Sequence, residues 1–115
     1  MPSFQGTDNI VLQPSTAAAP YTFTFTVCSS ATANDGMLPY GHSLDSCTVK
    51  AYDADGNPVT SEIVNSSSLA ANVVTVELDY PSTSGPGKYK LTFEYTTTNG
   101  YTDEADFNRV VAKDL

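Results

Sequence analysis

The stretch "GKYKLTFEYTTTNGY", residues 87–101, decides the fold. Tyr89, Leu91, Phe93 and Tyr95 recur at every second position, with Lys88, Lys90, Thr92 and Glu94 between them. Side chains of a strand alternate between faces, so this register buries the aromatic row and leaves the charged row in water. A slip by one residue would bury three charges, and the desolvation cost forbids it. The Asn99-Gly100 pair that follows favours the positive φ values of a tight hairpin. The stretch therefore reads as a half-buried antiparallel strand and its return.

Working outward, the same period recurs in short runs separated by turn residues. In "YTFTFTVC", residues 21–28, Tyr21, Phe23, Phe25 and Val27 oppose Thr22, Thr24, Thr26 and Cys28. "SCTVKAYD", residues 46–53, sets Cys47, Val49 and Ala51 against Thr48, Lys50 and Tyr52, and leads through the turn "DADGN" to a weaker strand around "PVTSEIV". "NVVTVELDY", residues 72–80, places Val74, Val76, Leu78 and Tyr80 on one face. "NIVLQP" supplies a first strand with Ile10 and Leu12 inward, ended by Pro14, which cannot donate to a ladder. "QPSTAAAP" reads as a brief crossing between strands. The eighteen residues from Ser29 to Ser46 exceed the usual span of a structureless loop, ~12–15 residues, and predict a short edge strand near "MLPY".

The last segment, "TDEADFNRVVAKD", admits two readings. As a helix it has Thr102 as N-cap, acids in its first turn and Phe107, Val110 and Val111 on one stripe. As a strand it needs a bulge, because neighbouring Val110 and Val111 face opposite ways. The strand is preferred, since the hairpin turn before it returns the chain into the sheet. Six or seven strands at this spacing predict an all-β, antiparallel β-sandwich in a single domain, residues 1–115.

Bulk composition narrows the partners. The 115 residues carry thirteen acids against five bases, a formal net charge of −8, and the bases Lys50, Lys88, Lys90, Arg109 and Lys113 are scattered along the chain without a cluster. So acidic a surface repels phosphate backbones and anionic lipid heads, which argues against nucleic-acid and membrane partners. "MPSFQGTDNI" has neither the basic leader nor the apolar run of a signal peptide, and no segment approaches a membrane span. If Met1 is the natural start, synthesis is cytoplasmic, and the sequon at Asn65 then carries no glycan. Cys28 and Cys47 fall on opposite parities and are expected to be reduced thiols, Cys47 as a small core residue.

With the strands laid out, "DADGNPVT" and "GPGKYKLTFEYTTTNGYTDEADFNRVV" give residues 45–112 a resemblance to bacterial and phage immunoglobulin-like domains, including the fibronectin type III and PKD-like groups. "DADGNPVT" stands as a hairpin between two middle strands, and "G-x-Y-x-L-x-F" as the penultimate strand. The resemblance implies an immunoglobulin-like sandwich of about seven strands. It places Tyr89 at the tyrosine corner, ring buried and hydroxyl bonded back to nearby backbone. The chain departs from antibody domains in having no Trp and in carrying Leu91 where the second cysteine would stand. Small acidic sandwiches of this style resemble accessory proteins of tailed phages or prophages, which would place the chain in a virion.

Candidate chemistry is sparse. Asp53, Asp55 and Asn57 resemble the opening of a calcium loop, yet the twelfth position counted from Asp53 is Val64, not the Glu that such a loop requires. The plain turn is the preferred reading of these three. His42 is the single histidine. A triad with Ser43 or Ser46 and Asp45 is disfavoured, because neighbours along one loop do not converge. No cofactor and no catalysis are expected. Of the seven tyrosines, Tyr40, Tyr52 and Tyr101 fall where strand parity or loops expose them, and with Pro39 they are the candidate binding residues. The expected function is a non-catalytic structural or protein-interaction module with a protein partner or self-assembly. The alternative is a carbohydrate-binding module stacking sugars on those tyrosines.

Overall fold

The computed structural model describes residues 9–14 and 18–114. Its elements are β1 (Ile10–Leu12), β2 (Ala19–Thr24), β3 (Leu44–Asp53), α1 (Thr60–Ile63), β4 (Val64–Ala70), β5 (Val73–Leu78), β6 (Gly87–Thr97) and β7 (Thr102–Ala112). The strands form two sheets, ordered β1-β7-β6-β3 and β2-β5-β4, with all pairs antiparallel except β1 with β7. This is a seven-stranded all-β sandwich, compatible with an immunoglobulin-like domain. The reading of residues 1–8 and the middle of the "QPSTAAAP" crossing lie outside the described residues. No helix of the described residues is long and apolar enough to cross a membrane.

The aromatic row of β6 is core. Tyr89, Leu91, Phe93 and Tyr95 are buried, and Phe93 stacks its ring 4.8 Å from Phe23 and 6.1 Å from Phe25 of the facing layer. Phe23 also meets Phe107 edge-on at 5.2 Å, and Phe25 meets Tyr95 at 4.9 Å. Such offset contacts suit the ring quadrupoles and add to the area term of about 1.5–3 kcal/mol per large side chain. Lys88, Lys90 and Glu94 face outward, whereas outward Thr92 is buried by its neighbours and donates to Asp106 Oδ1 at 3.1 Å.

Residues 102–112 are a strand, with the bulge displaced from the valines. Leu91 pairs with Phe107 and Tyr89 with Val110, so Asn108 and Arg109 together oppose Lys90. The extra residue lets Phe107 and Val110, three apart, both point inward.

Four sequence expectations are corrected. "PVTSEIV" is not a strand: after one bridge between Tyr52 and Pro58 the chain turns helically. Pro58 has no N–H to give, the Ala51 N–H is taken by Thr60 Oγ1 at 3.0 Å, and Val59 N–H donates to Ala51 O at 2.8 Å. The chain thereby caps the free edge of β3, drops Ile63 into the core and switches sheets. "DADGNPVT" is accordingly a one-rung corner and not a hairpin between two middle strands. The strand of this region is β4, "VNSSSLA", whose serines give no apolar alternation because it is an edge strand with most side chains in solvent.

Third, β2 stops at Thr24. The Phe25 N–H donates to Asn72 O at 2.8 Å and the chain then bends, so that Cys28 is buried despite its polar parity and Cys47 is only half-buried. Both thiols are unpaired, and burial pushes the Cys47 thiol up to about 11. Last, "MLPY" forms no edge strand; Leu38 makes a single parallel bridge to Val27.

Tyr89 occupies the position that the resemblance implied. Its hydroxyl donates to Gly85 O at 2.6 Å, across a turn in which Gly85 has φ 79° and its own N–H bonds Pro81 O at 2.7 Å. Removing only the hydroxyl, Tyr89→Phe, is expected to cost about 1–1.5 kcal/mol, a fall in Tm of roughly 4–8 °C. Thermal unfolding followed by circular dichroism checks it, and an unchanged Tm would mean that the corner contributes nothing.

Candidate functional site

One end of the sandwich carries the connections β2–β3 (residues 25–43), β4–β5 (71–72) and β6–β7 (98–101). The three are tied together by backbone. Asn72 accepts from Phe25 N–H through its carbonyl at 2.8 Å and from Leu44 N–H through Oδ1 at 2.9 Å, while Thr98 N–H donates to Ser43 O at 2.9 Å.

The long connection is held to the sheet in its middle. Met37 and Leu38 N–H both donate to Thr26 O, at 2.8 and 2.9 Å, and Cys28 N–H donates to Leu38 O at 2.9 Å. Tyr95 Oη reaches Met37 O at 3.3 Å, and Leu38 is fully buried. This close approach needs Gly36: a Cβ there would lie 2.5 Å from both Cys28 N and Val27 C.

Outside that anchor, Asp35 clasps Ser29, accepting its N–H at 2.9 Å and its hydroxyl at 2.7 Å. The hydroxyl bond first, and the backbone bond next, hold the Asp35 carboxyl below its usual 3.8. A depressed carboxylate contributes above its unfolded pKa and loses that contribution as pH falls through the folded value. Amide exchange at Ser29, corrected for its intrinsic pH dependence, is therefore expected to lose protection as pH drops below 3.8. Asp35→Asn should abolish that titration; a wild-type profile in the variant would exclude the clasp as its source.

The tip of the connection presents Pro39, half-buried, and Tyr40, 58 % exposed. His42 N–H closes a turn on Pro39 O at 3.1 Å, and His42 Nδ1 shares a hydrogen bond with Thr97 Oγ1 at 3.0 Å. Thr97 is buried and also accepts from Tyr101 N–H at 3.2 Å. Tyr101, 38 % exposed, meets the His42 ring edge-on at 6.0 Å and donates its hydroxyl to Asp103 Oδ2 at 3.1 Å. Desolvation first, and that bond next, hold the phenol above its usual 10.0. Among the described residues no hydrogen bond joins His42 to Ser43, Asp45 or Ser46.

Of the candidate residues, the fold brings Pro39, Tyr40 and Tyr101 to this end. Tyr52 sits near the far end of β3, eight residues beyond Leu44 or about 26 Å at ~3.3 Å per residue. Its ring there lies under the Lys90 ammonium, 5.7 Å from the centroid. One small ligand cannot span both places.

The calcium candidates are beside Tyr52 and act on their own turn. Asp53 Oδ1 accepts Asp55 N–H at 3.0 Å and Asn57 N–H at 2.8 Å, and Oδ2 accepts Asn57 Nδ2 at 3.2 Å. Those backbone and side-chain bonds from Asn57 lower the Asp53 pKa. Among the described residues no group of three or more His, Cys, Asp and Glu is placed to hold a metal ion.

Fold and site together define an all-β sandwich with exposed aromatic residues on backbone-anchored connections at one end. Comparison with protein-family models finds no match to this chain, and comparison with curated proteins finds none either.

Proposed function

We propose that this chain is a non-catalytic protein-interaction module, a structural accessory protein of a phage or prophage virion. It engages its partner through the Pro39–Tyr40 tip and an edge strand. The observation that carries the reading is that exposed Tyr40 and Tyr101 share one end of the sandwich, on connections whose backbone is pinned to the core at Thr26, Leu38 and Asn72. Rigid, half-wet aromatics lose little entropy on binding and are favoured at protein interfaces. The edge is β4, seven residues without charge or proline, paired only on its β5 side and so open to strand addition. The virion assignment rests on the similarity in style of small acidic sandwiches such as this one to accessory proteins of tailed phages or prophages.

Light scattering after size exclusion, with the chain alone and mixed with virion proteins encoded beside it, tests the reading. Co-elution that Tyr40→Ala weakens is expected; a chain that stays a monomer and joins no assembly would sink it. The carbohydrate reading is favoured by the same two tyrosines sharing one end, where a sugar ring could stack. Silence on a glycan array, or binding unchanged by Tyr40→Ala with Tyr101→Ala, would remove it.

A further inference from the structure

Four of the five bases, Lys50, Lys88, Lys90 and Arg109, scattered along the sequence, fall on one face of one sheet. On the outward face of the β1-β7-β6-β3 sheet the ladder gives five rows across β3, β6 and β7. They are Ser46–Thr96–Thr102, then Thr48–Glu94–Glu104, then Lys50–Thr92–Asp106, then Tyr52–Lys90 with Asn108 and Arg109, and last Lys88–Val111. Lys113 follows at the end of β7. The strands of the other sheet carry one charge, Glu77, and no base.

This face is polarised along the strands. Glu94 and Glu104 stand directly opposite each other above the central row, at a spacing where like charges repel. Lys88 and Lys90 share one face of β6 below it, and among the described residues neither has a carboxylate within ion-pair distance. The Lys50–Glu94 pair, 3.1 Å, relieves one of the two glutamates. Lys50, paired with Glu94 and attracted more weakly to Glu104, is the one base serving the two facing glutamates. Lys88 and Lys90 stand side by side and make no ion pair among the described residues, although Asp53 lines the same depression.

We propose that this sheet face binds a second copy of the chain, the two related by a two-fold axis in the sheet plane, at right angles to the strands and level with the Lys50–Thr92–Asp106 row. That rotation keeps each strand over its own counterpart, exchanges the rows above and below, and sets the central row against itself. There Lys50 and Asp106 each meet their own copy but are already engaged, Lys50 by Glu94 at 3.1 Å and Asp106 by the Thr92 hydroxyl at 3.1 Å. Glu94 then faces Lys90 of the other copy, Glu104 faces the Asn108–Arg109 bulge, and both contacts occur twice, as an isologous interface requires. Half-exposed Val111 and 41 %-exposed Val11 supply apolar area at the rim. Neither a polyanion nor a polycation fits as well, since each would meet one half of the face with its own sign. The strands of the other sheet carry only Glu77, so that sheet offers a second copy no opposite charges to pair with. The inference rests on the chain being an interaction module and names one of its partners.

Sedimentation equilibrium of the full chain over micromolar to millimolar concentration, with each variant's melting curve as a folding control, tests it. Wild type is expected to dimerise. Lys88→Glu with Lys90→Glu, and separately Glu94→Lys with Glu104→Lys, should each weaken self-association by about a hundredfold or more, the effect of several kcal/mol of like-charge contact. An equimolar mixture of the two variants should form a heterodimer, which loss of folding could not produce. A wild type that is monomeric throughout, variants that dimerise like wild type, or a mixture of folded variants that stays monomeric would each overturn the proposal. Dimerisation abolished by Tyr40→Ala and untouched by the sheet variants would also overturn it, while leaving the interaction-module reading standing.

Discussion

Phe93→Ala is expected to cost about 3–5 kcal/mol, the range for truncating a fully buried phenylalanine. Phe93 has no exposed area and touches Phe23 and Phe25 of the opposite layer, so the vacated volume lies between the sheets, where neither layer can close on it without breaking ladder bonds. Against a total stability of roughly 5–15 kcal/mol for a domain, the variant keeps a small margin or none. Urea denaturation should show the midpoint falling with the slope unchanged. A shift below about 1 kcal/mol would mean that the two layers do not meet where Phe93 stands.

The second large effect is at Gly36. An alanine there puts a Cβ 2.5 Å from Cys28 N and Val27 C and 2.9 Å from Val27 O, all backbone atoms, whereas carbon contacts settle near ~3.5–4.0 Å. The two chain segments must part by about an ångström, and the bonds from Met37, Leu38 and Cys28 N–H lie across that seam. At ~1 kcal/mol for each lost bond the expected cost is about 2–3 kcal/mol. The proposed partner binding should fail before folding does, because the Pro39–Tyr40 tip hangs from this seam. Amide exchange at Met37, Leu38 and Cys28 should rise selectively while β6 stays protected. Uniform exchange across the domain, or none, would show that Gly36 is not the hinge of the tip.

The two layers were legible wherever burial is one-sided and the strand is central. In β5 and β6 the alternation of Val74, Val76, Leu78 and of Tyr89, Leu91, Phe93, Tyr95 is the direct print of one wet and one dry face. It failed at the edges: the weaker strand expected around "PVTSEIV" lies one element later, at Val64–Ala70, because an edge strand such as β4 need not bury its alternate residues and its serines carry no apolar period. Beyond Thr24, backbone bonds to Asn72 and Leu38 reorient the chain regardless of parity. The bulge was foreseen from Val110 and Val111, but its place at Asn108–Arg109 depends on the spacing of Phe107 and Val110 against Leu91 and Tyr89.

The site was legible residue by residue and not as a site. Pro39, Tyr40 and Tyr101 could be singled out from loops and parity; that two of the tyrosines share an end and Tyr52 does not is a property of topology. The Asp35–Ser29 clasp and the Gly36 seam escaped notice, although the Asp35-Gly36 pair was a turn signal that could have marked them. Net charge hid most: a chain scored as acidic throughout sorts its cations onto one sheet, because Lys50, Lys88, Lys90 and Arg109 all fall on outward positions of paired strands.

The parallel pairing of β1 with β7 has a mechanical meaning. Ile10, Val11 and Leu12 lie beside Val110, Val111 and Ala112, and Lys113 N–H donates to Leu12 O at 2.9 Å. Tension drawn between Asn9 and Lys113 pulls these strands in opposite senses along their length, so the rungs are loaded in shear and must rupture together instead of unzipping one after another. Resistance to such stretching is set by the barrier to that first slip and not by the equilibrium stability of the core behind it.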